Sequence, residues 1–229
     1  IKSNELGMRA MQERAYEKRG EQYLLIKSPP ASGKSRALMF IALDKLHNQG
    51  IKQAIIVVPE RSIGSSFANE PLSKFGFWAD WEVEPKWNLC NSPGTDGGKI
   101  KSLGSFLQSD GRILVCTHST FRFAVDELGV AHFDNRLIAV DEFHHVSANP
   151  DNKLGAHLTN FIERNKVHVV AMTGSYFRGD SVPVLSPEDE ANFETVTYTY
   201  YEQLNGYEHL KKLDIGYYFY SGKYSDEIL

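Results

Sequence analysis

Residues 28–35, SPPASGKS, constrain this chain more than any other stretch. They match the G-x-x-x-x-G-K-[ST] phosphate loop at its Gly-Lys-Ser end, with Ser28 where the first glycine usually sits. Such a loop needs a strand before it and a helix after it. Residues 23–27 (YLLIK) form a short apolar run that reads as a strand, and residues 35–48 (SRALMFIALDKLHN) repeat apolar side chains at helical spacing. A phosphate held there would sit at a helix N-terminus, where unpaired N–H groups and the dipole favour an anion. Gly33 lets the backbone curl so that consecutive N–H groups face the phosphate. Pro30, Ala31 and Ser32 make the body of the loop. Lys34 would place an ammonium on the β/γ-phosphates, and Ser35 a hydroxyl on Mg²⁺. The plain alternative is an ordinary Gly-Ser turn between strand and helix. The order strand, loop, Lys-Ser, helix argues against it.

Further strands follow. Residues 53–59 (QAIIVVP), 112–116 (RILVC), 136–140 (RLIAV) and 167–172 (VHVVAM) are short, apolar and rich in β-branched side chains, the signature of buried parallel strands. Helical spacing recurs at 100–108, from Thr117 to Leu128, and at 153–165, with Thr117 and Ser119 where an N-cap would fall. The repeated β-α pattern predicts an α/β fold with a mostly parallel sheet and helices on both faces. Residues 4–19 read as a surface helix ended by Gly20, in which Gln12 is either part of a solvated face or an amide that reads a base edge. Residues 75–98 are rich in aromatics, then in Gly and Pro. A strand is expected over 81–89, with the aromatics as core more than as base-stacking platforms. Residues 62–75 open a further segment, in which Ser62, Ser65 and Ser66 serve as caps or as phosphate contacts. Beyond Arg178 the regularity fails, with strands expected over 193–201 and 213–220.

Asp141-Glu142 follow a buried strand, as the phosphate loop does, and in a parallel sheet both strand ends lie on one edge. Asp141 can hold Mg²⁺, and Glu142 can orient and deprotonate an attacking water. His144 and His145 lack a third nitrogen or sulfur ligand at useful spacing, so a hydrogen-bonding role for His144, toward Thr173 or the phosphate end of the site, is preferred to zinc.

Composition sets outer limits. The chain has 229 residues, 41% apolar and 24% charged, as in a globular protein whose core needs no disulfide staple. Cys90 and Cys116 have no C-x-x-C spacing, which suggests a reducing, cytoplasmic setting. No run is long and apolar enough to predict a membrane span. The net charge of −4 excludes a global basic field, so any nucleic-acid contact has to be local. The chain opens on Ile1 and reads as a piece of something longer.

Six short stretches in order resemble the first motor domain of superfamily 2 helicases and translocases of the DExH kind, including restriction-enzyme motors. They are MRAMQ (8–12), SPPASGKS, VVPERS (57–62), CTHSTF (116–121), DEFH (141–144) and MTGSYFRGD (172–180). The resemblance covers residues 6–180. It implies a RecA-like P-loop NTPase domain over 1–180, and an exit segment over 181–229 toward a second RecA-like domain that would complete the ATP cleft. It also implies ATP with Mg²⁺ as cofactors, and a nucleic-acid track, DNA in preference to RNA. By position, Gln12 would read adenine, and Pro30, Ala31, Ser32, Gly33, Lys34 and Ser35 would hold the phosphates. Ser35 and Asp141 would hold the metal, Glu142 would be the general base, and Thr173 and Ser175 would couple nucleotide to track. Pro59, Arg61, Thr117 and Ser119 would lie along the nucleic-acid backbone. Gly174 and Tyr176 depart from the family's T-A-T-P-x-R pattern. Two other classes remain open at this level: a nucleotide-gated binding module without hydrolysis, and a P-loop kinase. The second leaves the order of the motifs unexplained.

Overall fold

The computed structural model describes residues 4–29, 32–59, 66–91, 95–141, 153–174, 186–199 and 201–204. Six strands form one sheet: β1 (Tyr23–Lys27), β2 (Gln53–Val58), β3 (Ile113–Thr117), β4 (Arg136–Val140), β5 (His168–Thr173) and β6 (Glu194–Thr197). Their order across the sheet is β3-β2-β4-β5-β1-β6, and every pairing is parallel. Successive side chains along a strand point to opposite faces, so both faces need cover. Leu24, Ile26, Ala54 and Ile56 enter one core with α1 (Ala10–Tyr16) and α2 (Lys34–Asn48). Tyr23, Leu25, Ile55 and Val57 enter the other with α3 (Asp96–Leu107), α4 (His118–Leu128) and α5 (Lys153–Arg164). A short helix, α6 (Pro187–Glu190), precedes β6. No helix among the described residues is long and apolar enough to cross a membrane. Cys90 and Cys116 are both buried, and burial pushes the Cys116 thiol well up.

Several expectations need correction. The N-terminal helix begins at Ala10, not near Asn4. The Asn4 carboxamide oxygen accepts from the N–H groups of Leu6 and Met8, at 3.1 and 3.2 Å, and Gly7 takes φ +80°, so the backbone turns there. No strand forms over 81–89. Pro85–Trp87 is a 3₁₀ turn, and Trp81 and Asn88 make only isolated bridges, to Glu70 and Val115. Phe77, Trp81 and Trp87 are buried, but Phe75 and Trp78 are 41% and 43% exposed, so the aromatic cluster is only partly core. Ser119 lies in the first turn of α4, whose N-cap is Thr117. The expected strand over 193–201 is confined to β6, because the Thr199 hydroxyl accepts from the Glu202 N–H and starts a helical turn. Since β6 pairs with β1, the sheet extends past residue 180. The strand expected over 213–220 lies outside the described residues.

The floor of the sheet carries a buried cation. Lys45, fully buried, donates its ammonium to His168 Nδ1 at 2.7 Å, the Glu21 carbonyl at 2.9 Å and Gln49 Oε1 at 3.4 Å. Burial first, and the Lys45 charge second, hold His168 at about 4, below its ordinary 6.5. Burial pulls Lys45 down to about 8. Between pH 6.5 and 4 the unfolded chain therefore binds a proton that the folded chain refuses. This contribution is fully present above pH 6.5 and is lost as pH falls toward 4. Lys45 is protonated in both states over that window and adds no slope. The His168 ring is partly solvated, so the loss is discounted to roughly 1–2 kcal/mol. Chemical denaturation at pH 7.5 and pH 4.5 checks it: the difference between the two should shrink by that amount in His168→Gln.

Candidate functional site

Among the described residues, several of the groups singled out by the sequence lie at the carboxyl edge of the sheet. The phosphate loop leaves β1 at Ser28, whose N–H donates to the Thr173 carbonyl at 3.0 Å, tying the loop's first residue to the end of β5. Ser28 is fully buried and its hydroxyl hydrogen-bonds that of Ser32, also buried. The residue that replaces the usual glycine thus closes the base of the loop. Pro30 and Ala31 lie outside the described residues. Gly33 is the N-cap of α2 with φ +90° and ψ +27°, a left-handed conformation that glycine adopts without steric cost. Lys34 and Ser35 are the first residues of α2, where the helix N–H groups are unpaired.

Gln12 is not on a solvated face. It is 2% exposed and lies against the loop. Its Nε2 donates to the Gly33 carbonyl at 3.1 Å, and its Oε1 accepts from the Arg9 N–H at 2.7 Å. One N–H and one lone pair of the amide are left for a ligand. Arg9, Gln12, Gly33, Lys34, Ser35 and Glu70 line a cleft of about 510 Å³. Arg36, also on that wall, donates to Glu70 Oε2 at 3.1 Å. Sequence reasoning missed Arg9 and Glu70 as site residues. Arg9 could have been suspected as the residue that caps α1, but Glu70 has no local signal, since a bridge to Trp81 brings it there.

Asp141 follows β4 and is 5% exposed. Its N–H donates to the Val57 carbonyl at 2.8 Å, and its own carbonyl accepts from His118 Nε2 at 2.9 Å. Thr173, at the end of β5, is also buried. Along the same edge lie Pro59, half-buried after β2, and Thr117 with Ser119 at the start of α4. The Thr117 hydroxyl caps α4, accepting from the Thr120 N–H and donating to Thr120 Oγ1, both at 3.2 Å. Ser119 is exposed on the first turn. Arg61, Glu142, His144, His145 and Ser175 lie outside the described residues. The edge so far assembled offers a glycine loop, a lysine, two hydroxyl-bearing helix starts and a buried carboxylate, a set suited to polyphosphate.

The family model described as DEAD/DEAH box helicase matches residues 9–179. A Bacillus subtilis (strain 168) protein, "Putative ATP-dependent helicase YeeB", is 59% identical over 227 residues, covering 99% of this chain and 38% of that protein. The chain therefore spans well under half the length of this curated relative. Among solved structures, the Pyrococcus furiosus Hef helicase domain superposes with TM-score 0.55 at 18% identity, over 86% of this chain and 39% of that one. The UvsW helicase of bacteriophage T4 gives 0.55 at 14% identity, over 83% and 60%. The DUF1998 helicase MrfA, solved bound to DNA, gives 0.53 at 14% identity, over 83% and 27%. At these identities the likeness is one of fold, and the fold is that of RecA-like helicase domains.

Proposed function

We propose, for a chain that belongs to the DEAD/DEAH box helicase family, that it forms the ATP-binding half of a motor whose ATP hydrolysis drives movement on nucleic acid, DNA in preference to RNA. One observation carries the reading. The left-handed Gly33 cradle at the start of α2, and the buried Asp141 after β4, share the carboxyl edge of one parallel sheet. Residues 1–180 are read as the core of that half. A second RecA-like domain of the parent chain would face the same edge, in keeping with the 38% of the relative that this chain spans.

The roles follow from donor chemistry. Lys34 neutralises charge on the β/γ-phosphates. Mg²⁺ prefers hard oxygen ligands, and the Ser35 hydroxyl with the Asp141 carboxylate are of that kind; bound there, the ion would neutralise charge shared by two phosphates. Glu142, next to Asp141 in sequence, takes the proton from the attacking water, and His144 links the site to Thr173. Gln12 offers its remaining N–H and lone pair to adenine while holding the loop through Gly33. Pro30, Ala31 and Ser32 complete the phosphate cradle. Pro59, Arg61, Thr117 and Ser119 contact the track. Because the Thr117 hydroxyl is engaged in capping, Ser119 and the helix N–H groups are the contacting donors at that point. The preference for DNA rests on the resemblance to restriction-type motors, in keeping with the DNA-bound MrfA.

The test is ATP turnover by the full-length parent, alone and with duplex DNA, single-stranded DNA or RNA. Stimulation by one of them establishes the motor and names its track. ATP binding without turnover under any condition would replace this reading with a nucleotide-gated binding module.

A further inference from the structure

We infer that His118 is a positioning residue: by holding the carbonyl of Asp141 it sets the peptide that presents Glu142, and so ties the nucleic-acid face of α4 to ATP turnover. The inference rests on the functional reading above and assigns a role to a residue which that reading leaves unused.

β4 ends at Val140, and the ladder to β5 stops there, at Val140 opposite Ala171. Asp141 is thus the first residue past that ladder, yet its backbone is held on both sides. Its N–H is taken by Val57 of β2 at 2.8 Å and its carbonyl by His118 Nε2 at 2.9 Å. A carbonyl only accepts, so His118 is the donor and carries its proton on Nε2. The Asp141 carbonyl and the Glu142 nitrogen belong to one planar peptide unit. A bond that fixes the direction of that carbonyl therefore fixes the plane from which Glu142 departs.

The other end of the connection is α4. His118 is its first residue, between the capping Thr117 and the exposed Ser119. The helix is stiffly mounted, since Phe121 is fully buried against the rings of Phe133 and Phe161. A displacement of the α4 start, where a backbone phosphate would bind, cannot be absorbed by that packing and is passed to the Asp141 carbonyl through the imidazole. The bond crosses from the element after β3 to the element after β4, over the intervening β2. It is a direct side-chain link between the two faces that a motor has to couple.

Steady-state ATP turnover of the full-length parent with saturating nucleic acid tests this, in wild type, His118→Ala, His118→Phe and His118→Gln. Phe keeps ring volume without a donor; Gln keeps an N–H donor. A misplaced catalytic peptide costs on the order of ten- to a hundredfold. His118→Ala and His118→Phe should lose that much in kcat while KM for ATP shifts less than about threefold, the mark of an interaction used in the transition state. His118→Gln should recover to within about threefold of wild type. Either of two results would overturn the inference: a donorless variant that keeps kcat within about twofold, or a Gln variant that falls as far as Phe does. A wild-type parent with no turnover would sink the functional reading itself, and this inference with it, which separates the two failures.

Discussion

Replacing Lys34 with alanine in the full-length parent is expected to lower kcat/KM for ATP about 10²- to 10³-fold, the cost of deleting one preorganised charge at a centre where negative charge develops. Lys34 is the first residue of α2, half-buried on the wall of the cleft beside Gly33 and Gln12. Its ammonium is a compact charge with three donors, which suits phosphate oxygens approached from a helix start. Lys34→Arg is therefore expected to rescue little, because a planar fork on a longer stem does not fit the same point. Measured turnover and denaturation together check the claim. An alanine variant within tenfold of wild type, folded normally, would remove Lys34 from the phosphate site.

The parts of this fold that were legible in the sequence are those set by burial alone. RLIAV became β4 residue for residue, because a parallel strand buried on both faces needs a continuous apolar run. Its one charged member, Arg136, survives there because its guanidinium donates to Gln53 Oε1 and to the carbonyls of Asp134 and Leu107. The phosphate loop was legible because backbone curvature demands glycine at one position. What sequence missed was decided by contacts between distant elements. Helix propensity over 4–9 lost to an Asn4 turn and to Gly7, packed so close to the Phe75 carbonyl that a Cβ there would stand 2.3 Å from its oxygen. Glu70 reaches the cleft through a bridge to Trp81, and His118 meets Asp141 across a whole strand. Gln12 lay between the two cases: its amide chemistry was readable, but its burial against Gly33 comes from the packing of α1 on α2.

That packing gives the second large effect. Gly33→Ala is expected to destabilise the 229-residue chain by about 2–3 kcal/mol. Two costs add. A residue with a Cβ at φ +90° pays about 1–2 kcal/mol for the left-handed conformation. The new Cβ would also lie 2.5 Å from Gln12 Nε2 and 3.4 Å from its Cδ. Gln12 cannot swing away cheaply, since it is buried and held by the Gly33 carbonyl and the Arg9 N–H. Expelling it breaks those bonds, at about 1 kcal/mol net. The two terms separate in a double-mutant cycle, because only the second needs Gln12. In a Gln12→Ala background Gly33→Ala should cost only the conformational share, about 1–2 kcal/mol. Nucleotide binding, followed with a fluorescent ATP analogue, should weaken in Gly33→Ala in both backgrounds, since the N–H groups of the cradle no longer converge. Equal destabilisation with and without Gln12 would show that the amide does not brace the loop, and would leave backbone strain as the whole effect.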